Sequence, residues 1–96
     1  MDHHSKSEIM FTQLILMFHT AAMQQLGKLK NPVTDTTERN LEAAQNSIDI
    51  LDMLKERTAG NVSEEEGRLL SQVIRELKLN YVDEAKKPSA PSDQKA

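Results

Sequence analysis

The stretch ERTAGNVSEEEG, residues 56–67, decides the fold. Gly60 supplies a residue that accepts the left-handed conformation in which many helices stop. Ser63-Glu64-Glu65-Glu66 then has the spacing of a capping box. In that motif the serine hydroxyl accepts the N–H three residues on, and the carboxylate there accepts the serine N–H, so two orphaned donors are satisfied. Three acids in the first turn also suit the positive end of the helix dipole. About five residues separate one helix end from the next start, which makes the two helices antiparallel neighbours.

On the amino-terminal side, a helix is expected from Asn40, a good N-cap, to Thr58. Asp35-Thr36-Thr37-Glu38 offers an earlier capping box as an alternative start. Leu41, Ala44, Ile48, Leu51 and Leu54 share one side, and Glu42, Gln45, Asn46, Asp49, Asp52 and Glu56 fill the other. On the carboxyl-terminal side, a helix runs from Glu64 to Asp83. Its apolar stripe is Leu69, Leu70, Val73, Ile74, Leu77 and Tyr81, with Leu79 and Val82 outside it. Glu64 and Arg68 form a favourable i,i+4 pair.

Farther back, Ser5-Lys6-Ser7-Glu8 repeats the capping-box spacing and predicts a helix beginning near Lys6. Twelve of the 18 residues in 9–26 are apolar, but Thr12, Gln13, His19, Thr20, Gln24 and Gln25 interrupt the run, which argues against a membrane span. At about 100° per residue, Met10, Phe11, Leu14, Ile15, Met17, Phe18, Ala21, Ala22 and Leu26 form the main apolar face. A second stripe, Ile9, Leu16 and Met23, recurs inside the polar arc. A helix apolar on two sides is buried on two sides. Gly27 is placed to stop it. Residues 28–39 make a long connection broken by Asn31-Pro32, fit to hold a short extended piece or to cross the bundle.

The composition limits what such a chain does. It has 96 residues, a net charge of −3 and three aromatic side chains, Phe11, Phe18 and Tyr81. The absence of cysteine excludes a disulfide framework and a cysteine-based zinc site. The acidic balance disfavours nucleic-acid binding, and no aromatic residues interleave with Lys28, Lys30 and Arg39. A chain this short buries only about 60–65% of its unfolded surface, so its core is marginal when it is alone.

Few residues suggest chemistry, and each has a simpler role. Met1-Asp2-His3 is a potential amino-terminal copper or nickel site, since amine, amides and imidazole form a square-planar set; a mobile terminus explains it as well. His19 sits at the edge of the apolar face with no second ligand at helical spacing, and reads as a boundary histidine. Asp49, Asp52 and Glu56 lie on one face, where they form the solvated side of an amphipathic helix rather than a cation site. Ser63 lacks a nucleophile elbow and has a cap to make. Gly27, Gly60 and Gly67 are too dispersed to cradle a phosphate. Gly67, inside the third helix, either allows a close helix approach or is merely tolerated. Met10, Met17 and Met23 are the more suggestive set, because methionine is common on adaptable helix-binding surfaces.

A set of motifs resembles one bacterial family. They are Gln25-Leu26-Gly27, Asn31-Pro32-Val33-Thr34, Asn40-Leu41-Glu42 and Ile48-Asp49-Ile50-Leu51, then residues 55–61, Glu64-Glu65-Glu66, Leu69-Leu70 and residues 76–82. Together they span residues 11–83 and resemble the family catalogued as domain of unknown function 1844. Asp35-Thr36 departs from the glycine-containing turn expected in many members. The resemblance implies a small bacterial, cytoplasmic protein and supplies no activity, substrate or catalytic residue.

The expectation is therefore an all-α fold: a three-helix bundle-like protomer with an antiparallel helical hairpin that forms a helix-mediated homo-oligomer, a dimer first. Residues 1–7 are expected to be disordered, 8–84 to form one helical domain, and 85–96 to be a disordered tail. The polar start shows no signal-peptide pattern. The first helix carries the expected interface: Phe11, Leu14, Ile15 and Phe18 on its main face, and Ile9, Leu16 and Met23 on its second stripe. Ser5, Asn40 and Ser63 are the expected caps. No cofactor, metal, nucleic acid or membrane is expected. The function expected is a non-enzymatic interaction or structural module. The alternative is a binding module for an apolar ligand or amphipathic peptide on the same helix, or for an unidentified protein partner; a small metal-dependent enzyme comes third.

Overall fold

The computed structural model describes residues 5–88. Three helices pack together: α1 (Lys6–Gln25), α2 (Leu41–Arg57) and α3 (Glu64–Ala85). The described residues contain no strand, only two isolated bridges. The helices run up, down and up. The Asn40 N–H donates to Gln25 O at 2.7 Å, which fixes α2 antiparallel to α1. Lys28, just past α1, reaches Asp83 at 3.0 Å near the end of α3, so α1 and α3 run parallel.

Local chemistry sets each boundary. Ser5 and Ser63 cap α1 and α3 in complete capping boxes with Glu8 and Glu66. Asn40 caps α2 and accepts the Ala43 N–H, so the later of the two candidate starts is used. α1 ends in a Schellman arrangement: Lys28 N–H donates to Met23 O at 2.9 Å, and Gly27 N–H to Gln24 O at 3.0 Å. Gly27 has φ 78°, which a side chain would strain, and a Cβ there would meet the Arg39 Cβ at 3.4 Å. α3 continues two residues past the expected Asp83, to Ala85.

The connection 28–39 folds back on itself. Asn31 organises its tip: its carbonyl accepts the Asp35 N–H at 2.7 Å, its carboxamide oxygen accepts the Val33 N–H at 2.8 Å, and its own N–H donates to Thr36 O at 2.8 Å. Asp35 takes φ 59°, the left-handed conformation in which glycine is at ease. An antiparallel bridge then brings Arg39 back beside Leu26.

The core is aliphatic. Ile15, Ala22 and Leu26 meet Ala44, Ile48 and Leu51 of α2 and Leu70, Val73, Ile74 and Leu77 of α3. Phe11, Phe18 and Tyr81 pack at its edges, each only partly buried. Two expectations for α1 are corrected here. Met10 and Met17 do not belong to the buried face; they are 56% and 66% exposed. By helical phase they lie roughly 140° from the direction of Ile15 and Ala22, outside the narrow sector that two neighbouring helices cover. Conversely, Ile15 is fully buried within the protomer and is no candidate for a contact with a second chain.

Candidate functional site

The outer side of α1 is the first candidate. No Asp, Glu, Lys or Arg occurs between Ile9 and Gly27. On this stretch, which follows Lys6 and Glu8 of the first turn, Ile9 is 50% and Leu16 46% exposed, in addition to Met10 and Met17. Gln13 and Thr20 form a polar ridge between two apolar flanks. One flank, with Ile9 and Leu16, borders α3. The other, with Met10 and Met17, borders α2, whose Met53 is 44% exposed. Of the remaining expected interface residues, Phe11, Phe18 and Met23 pack against the core and Leu14 is half-buried. Met53 stands on the outer face of α2, opposite the buried Ile48 and Leu51 and among exposed Asp49, Glu56 and Arg57, so it does not extend this surface.

A cleft of about 410 Å³ opens between the amino-terminal halves of α1 and α3. Ile9, Thr12 and Leu69 give it an apolar lining, and Glu8, Glu65 and Glu66 contribute carboxylates. Two of those acids complete the capping boxes, so their role here is structural.

At the opposite end lies a charged cluster that no sequence motif announced. Glu84 is buried, and its carboxylate meets three cations: Lys87 Nζ at 2.7 Å, Lys28 Nζ at 2.9 Å and Arg39 Nη1 at 3.1 Å. Asp83 adds a contact to Lys28 at 3.0 Å. The hydrogen bond from Lys87 is the leading cause that holds the Glu84 carboxyl down at about 2, and those from Lys28 and Arg39 act in the same direction. The hydrogen bond from Lys28 holds Asp83 below the usual carboxylate range. Hydrogen bonds to Glu84, then Asp83, raise Lys28 above its ordinary value. Arg39 also donates to two backbone carbonyls, Glu84 O and Pro88 O, both at 2.9 Å. It thereby satisfies a carbonyl that the end of α3 leaves open. The cations are committed to this clamp, which ties the connection and the ends of α1 and α3 together.

The other candidates separate in space. His19 Nε2 is buried 3.3 Å from Glu76 Oε1, yet makes no hydrogen bond with acceptable geometry. Asp49 accepts from Gln45 at 2.9 Å, Asp52 pairs with Lys78 at 3.0 Å, and Glu56 is exposed. No group of three or more His, Asp or Glu is placed to hold a metal ion among the described residues. Met1-Asp2-His3 lies outside the described residues, as do positions 89–96 of the expected tail. No helix among the described residues is long and apolar enough to cross a membrane.

These features define a small all-helical domain whose first helix carries no Asp, Glu, Lys or Arg from Ile9 onward and whose far end is clamped by ions. The chain belongs to the family described as Domain of unknown function (DUF1844), which it matches over residues 8–84. Neither the curated proteins nor the solved structures gave a match.

Proposed function

We propose that this protein is a non-enzymatic helical module that self-associates, with a second copy, first as a dimer, covering the outer side of α1. The observation that carries this is the pairing of exposure with absent charge: four large apolar residues of α1 stand in water along a stretch without Asp, Glu, Lys or Arg. Exposed apolar side chains gathered on one side of a helix, here in two flanks, mark an interaction site more often than ones scattered singly do. The outer faces of α2 and α3 carry acids and bases instead. The non-enzymatic part rests on prior engagement of the reactive-looking groups. Ser63 caps α3, Asp52 is paired with Lys78, and the cations around Glu84 hold a clamp. The bacterial, cytoplasmic setting is carried over from the family resemblance as part of the same proposal.

Size-exclusion chromatography with light scattering tests it. At tens of micromolar the mass is expected at twice the 10.8 kDa of the chain. A clean monomer at that concentration overturns self-association. It would promote the second reading, an amphipathic peptide held in the cleft beside Ile9 and Leu69, which the apolar lining of that cleft favours.

A further inference from the structure

We propose that the cleft between the amino-terminal halves of α1 and α3 docks an amphipathic peptide of another protein, which lays a Lys or Arg side chain against Glu66 and apolar side chains against Ile9 and Leu69. The cleft lies beside the outer side of α1, and its occupancy does not depend on self-association.

A buried carboxylate without a cation points to the occupant. Glu66 is only 8% exposed, yet it lines the cleft. Its Oε1 accepts the Ser63 N–H at 2.8 Å and completes the cap. Its Oε2 has no hydrogen-bond donor and no cation beside it among the described residues. Water still reaches that oxygen, since the one side-chain atom both sealed and unpaired among the described residues is His19 Nε2. The cap therefore uses one oxygen and leaves the other open. Glu84, the other buried carboxylate, is 6% exposed and is met by three cations of the chain. Glu66 is met by none.

The surroundings add negative charge. No Lys, Arg or His lines the cleft, whereas Glu8 and Glu65 stand there with Glu66. α1 and α3 both begin at this end, and each helix start supplies about half a positive charge. That offsets about one of the three carboxylates, so the cleft keeps a net negative field. An anionic partner is repelled. A purely apolar one strands carboxylates away from water. A bare metal ion lacks a set of ligands, since no group of three His, Asp or Glu is placed to hold one among the described residues. A cation on an apolar stem suits both halves of the lining, and Lys and Arg side chains are built that way.

Shape selects a peptide over a small free cation. The volume of about 410 Å³ lies within the ~300–1,000 Å³ of ligand pockets. Along α3 the cleft runs from Ser63 to Leu69, about 9 Å. Glu66 and Leu69 are three residues apart, so the acidic and apolar parts of the lining are separated by about one turn. A basic and an apolar side chain three or four residues apart on a peptide helix have the same separation.

Fluorescence anisotropy tests this with the full chain and a dye-labelled amphipathic helix of leucine and lysine. In Glu66→Gln the carboxamide oxygen still accepts the Ser63 N–H, so the cap stays while the charge goes. Glu65→Gln removes a charge at the rim, outside the cap. Glu64→Gln makes the same change in net charge away from the cleft, where Glu64 pairs with Arg68 on the exposed side of α3. The wild type is expected to bind the probe, Glu66→Gln about tenfold and Glu65→Gln several-fold more weakly, and Glu64→Gln within about twofold of wild type. Circular dichroism verifies helix content in each. Probes with glutamate for lysine, or serine for leucine, are expected not to bind. No binding by the wild type, equal losses in the three variants, or equal binding of the serine probe overturns the assignment. Light scattering of the same samples reads self-association separately: a monomeric wild type that binds the probe and loses it in Glu66→Gln overturns the α1 dimer and leaves the cleft assignment standing.

Discussion

Arg39 and Glu84 are joined twice at one end of the bundle: the Nη1 of Arg39 donates to the backbone carbonyl of Glu84 at 2.9 Å and to its carboxylate at 3.1 Å. Both side chains are buried. The carboxylate thus balances the guanidinium while the guanidinium finishes the helix that carries the carboxylate. Removing one member strands the other, and a broken buried pair costs about 3–5 kcal/mol. Lys28 and Lys87 remain on Glu84 when Arg39 is lost, so Arg39→Ala is expected at the low end, about 3 kcal/mol. For a domain of this size the melting temperature then falls by more than about 10 °C. Arg39→Met with Glu84→Leu is expected to recover only part of the loss, because the apolar pair removes the stranded charge but leaves Lys28, Lys87 and the Glu84 and Pro88 carbonyls without these partners. A thermal melt of Arg39→Ala within a degree or two of wild type refutes the clamp.

The same cluster sets an acid limit. The folded-state value of Glu84 is lowered to about 2 from an ordinary 4.5, and Asp83 is lowered as well. A depressed carboxyl stabilises the fold at every pH above its ordinary value, and that contribution drains away as pH falls toward the folded value. Stability is therefore expected to decline between about pH 4.5 and about pH 2, because the unfolded chain takes up the proton first. Glu84→Gln is less stable at neutral pH and should show a flatter decline. Denaturant titrations at several acid pH values read this directly. Parallel pH profiles for the two chains would show that Glu84 does not carry the dependence.

What the sequence disclosed and what it hid divide by range. Ser5, Asn40 and Ser63 were legible as caps because a cap is a contract among residues three apart. The α2–α3 hairpin followed from the same short-range signals. Arg39 and Glu84 are 45 residues apart, and nothing local to either requires the other. Helical phase placed Ile15 correctly on an apolar face, yet it could not say that this face is covered by the chain's own α2 and α3. It also drew that face too wide, taking in Met10 and Met17, because an apolar side chain at the margin of a face reads the same whether or not a neighbouring helix covers it.

Gly67 gives a clean substitution. It lies within α3, and a Cβ there would meet only Val62 Cγ2 at 3.8 Å, ordinary contact. Close approach to another helix is therefore not its purpose. Gly67→Ala is expected to stabilise the protein by roughly 0.5–1 kcal/mol, through helix propensity and a less flexible unfolded chain. Urea unfolding checks this, and a destabilised variant would mean that the backbone at Gly67 is needed bare.

Asp35 gives the complementary case. It holds φ 59° at the tip of the connection, a conformation that suits glycine and that aspartate tolerates better than most residues do. Its ion pair with Lys30, 3.5 Å apart, is between exposed side chains and contributes little. Asp35→Gly exchanges that strain for a larger loss of chain entropy, so its effect is expected within about 1 kcal/mol of zero. Asp35→Val puts a β-branched side chain where φ is positive and is expected to cost about 1–2 kcal/mol. The turn itself keeps its Asn31 hydrogen bonds in the glycine variant, so amide exchange at Val33 should be unchanged there and faster in the valine variant. Equal stability of the two variants would show that the left-handed conformation at Asp35 costs nothing.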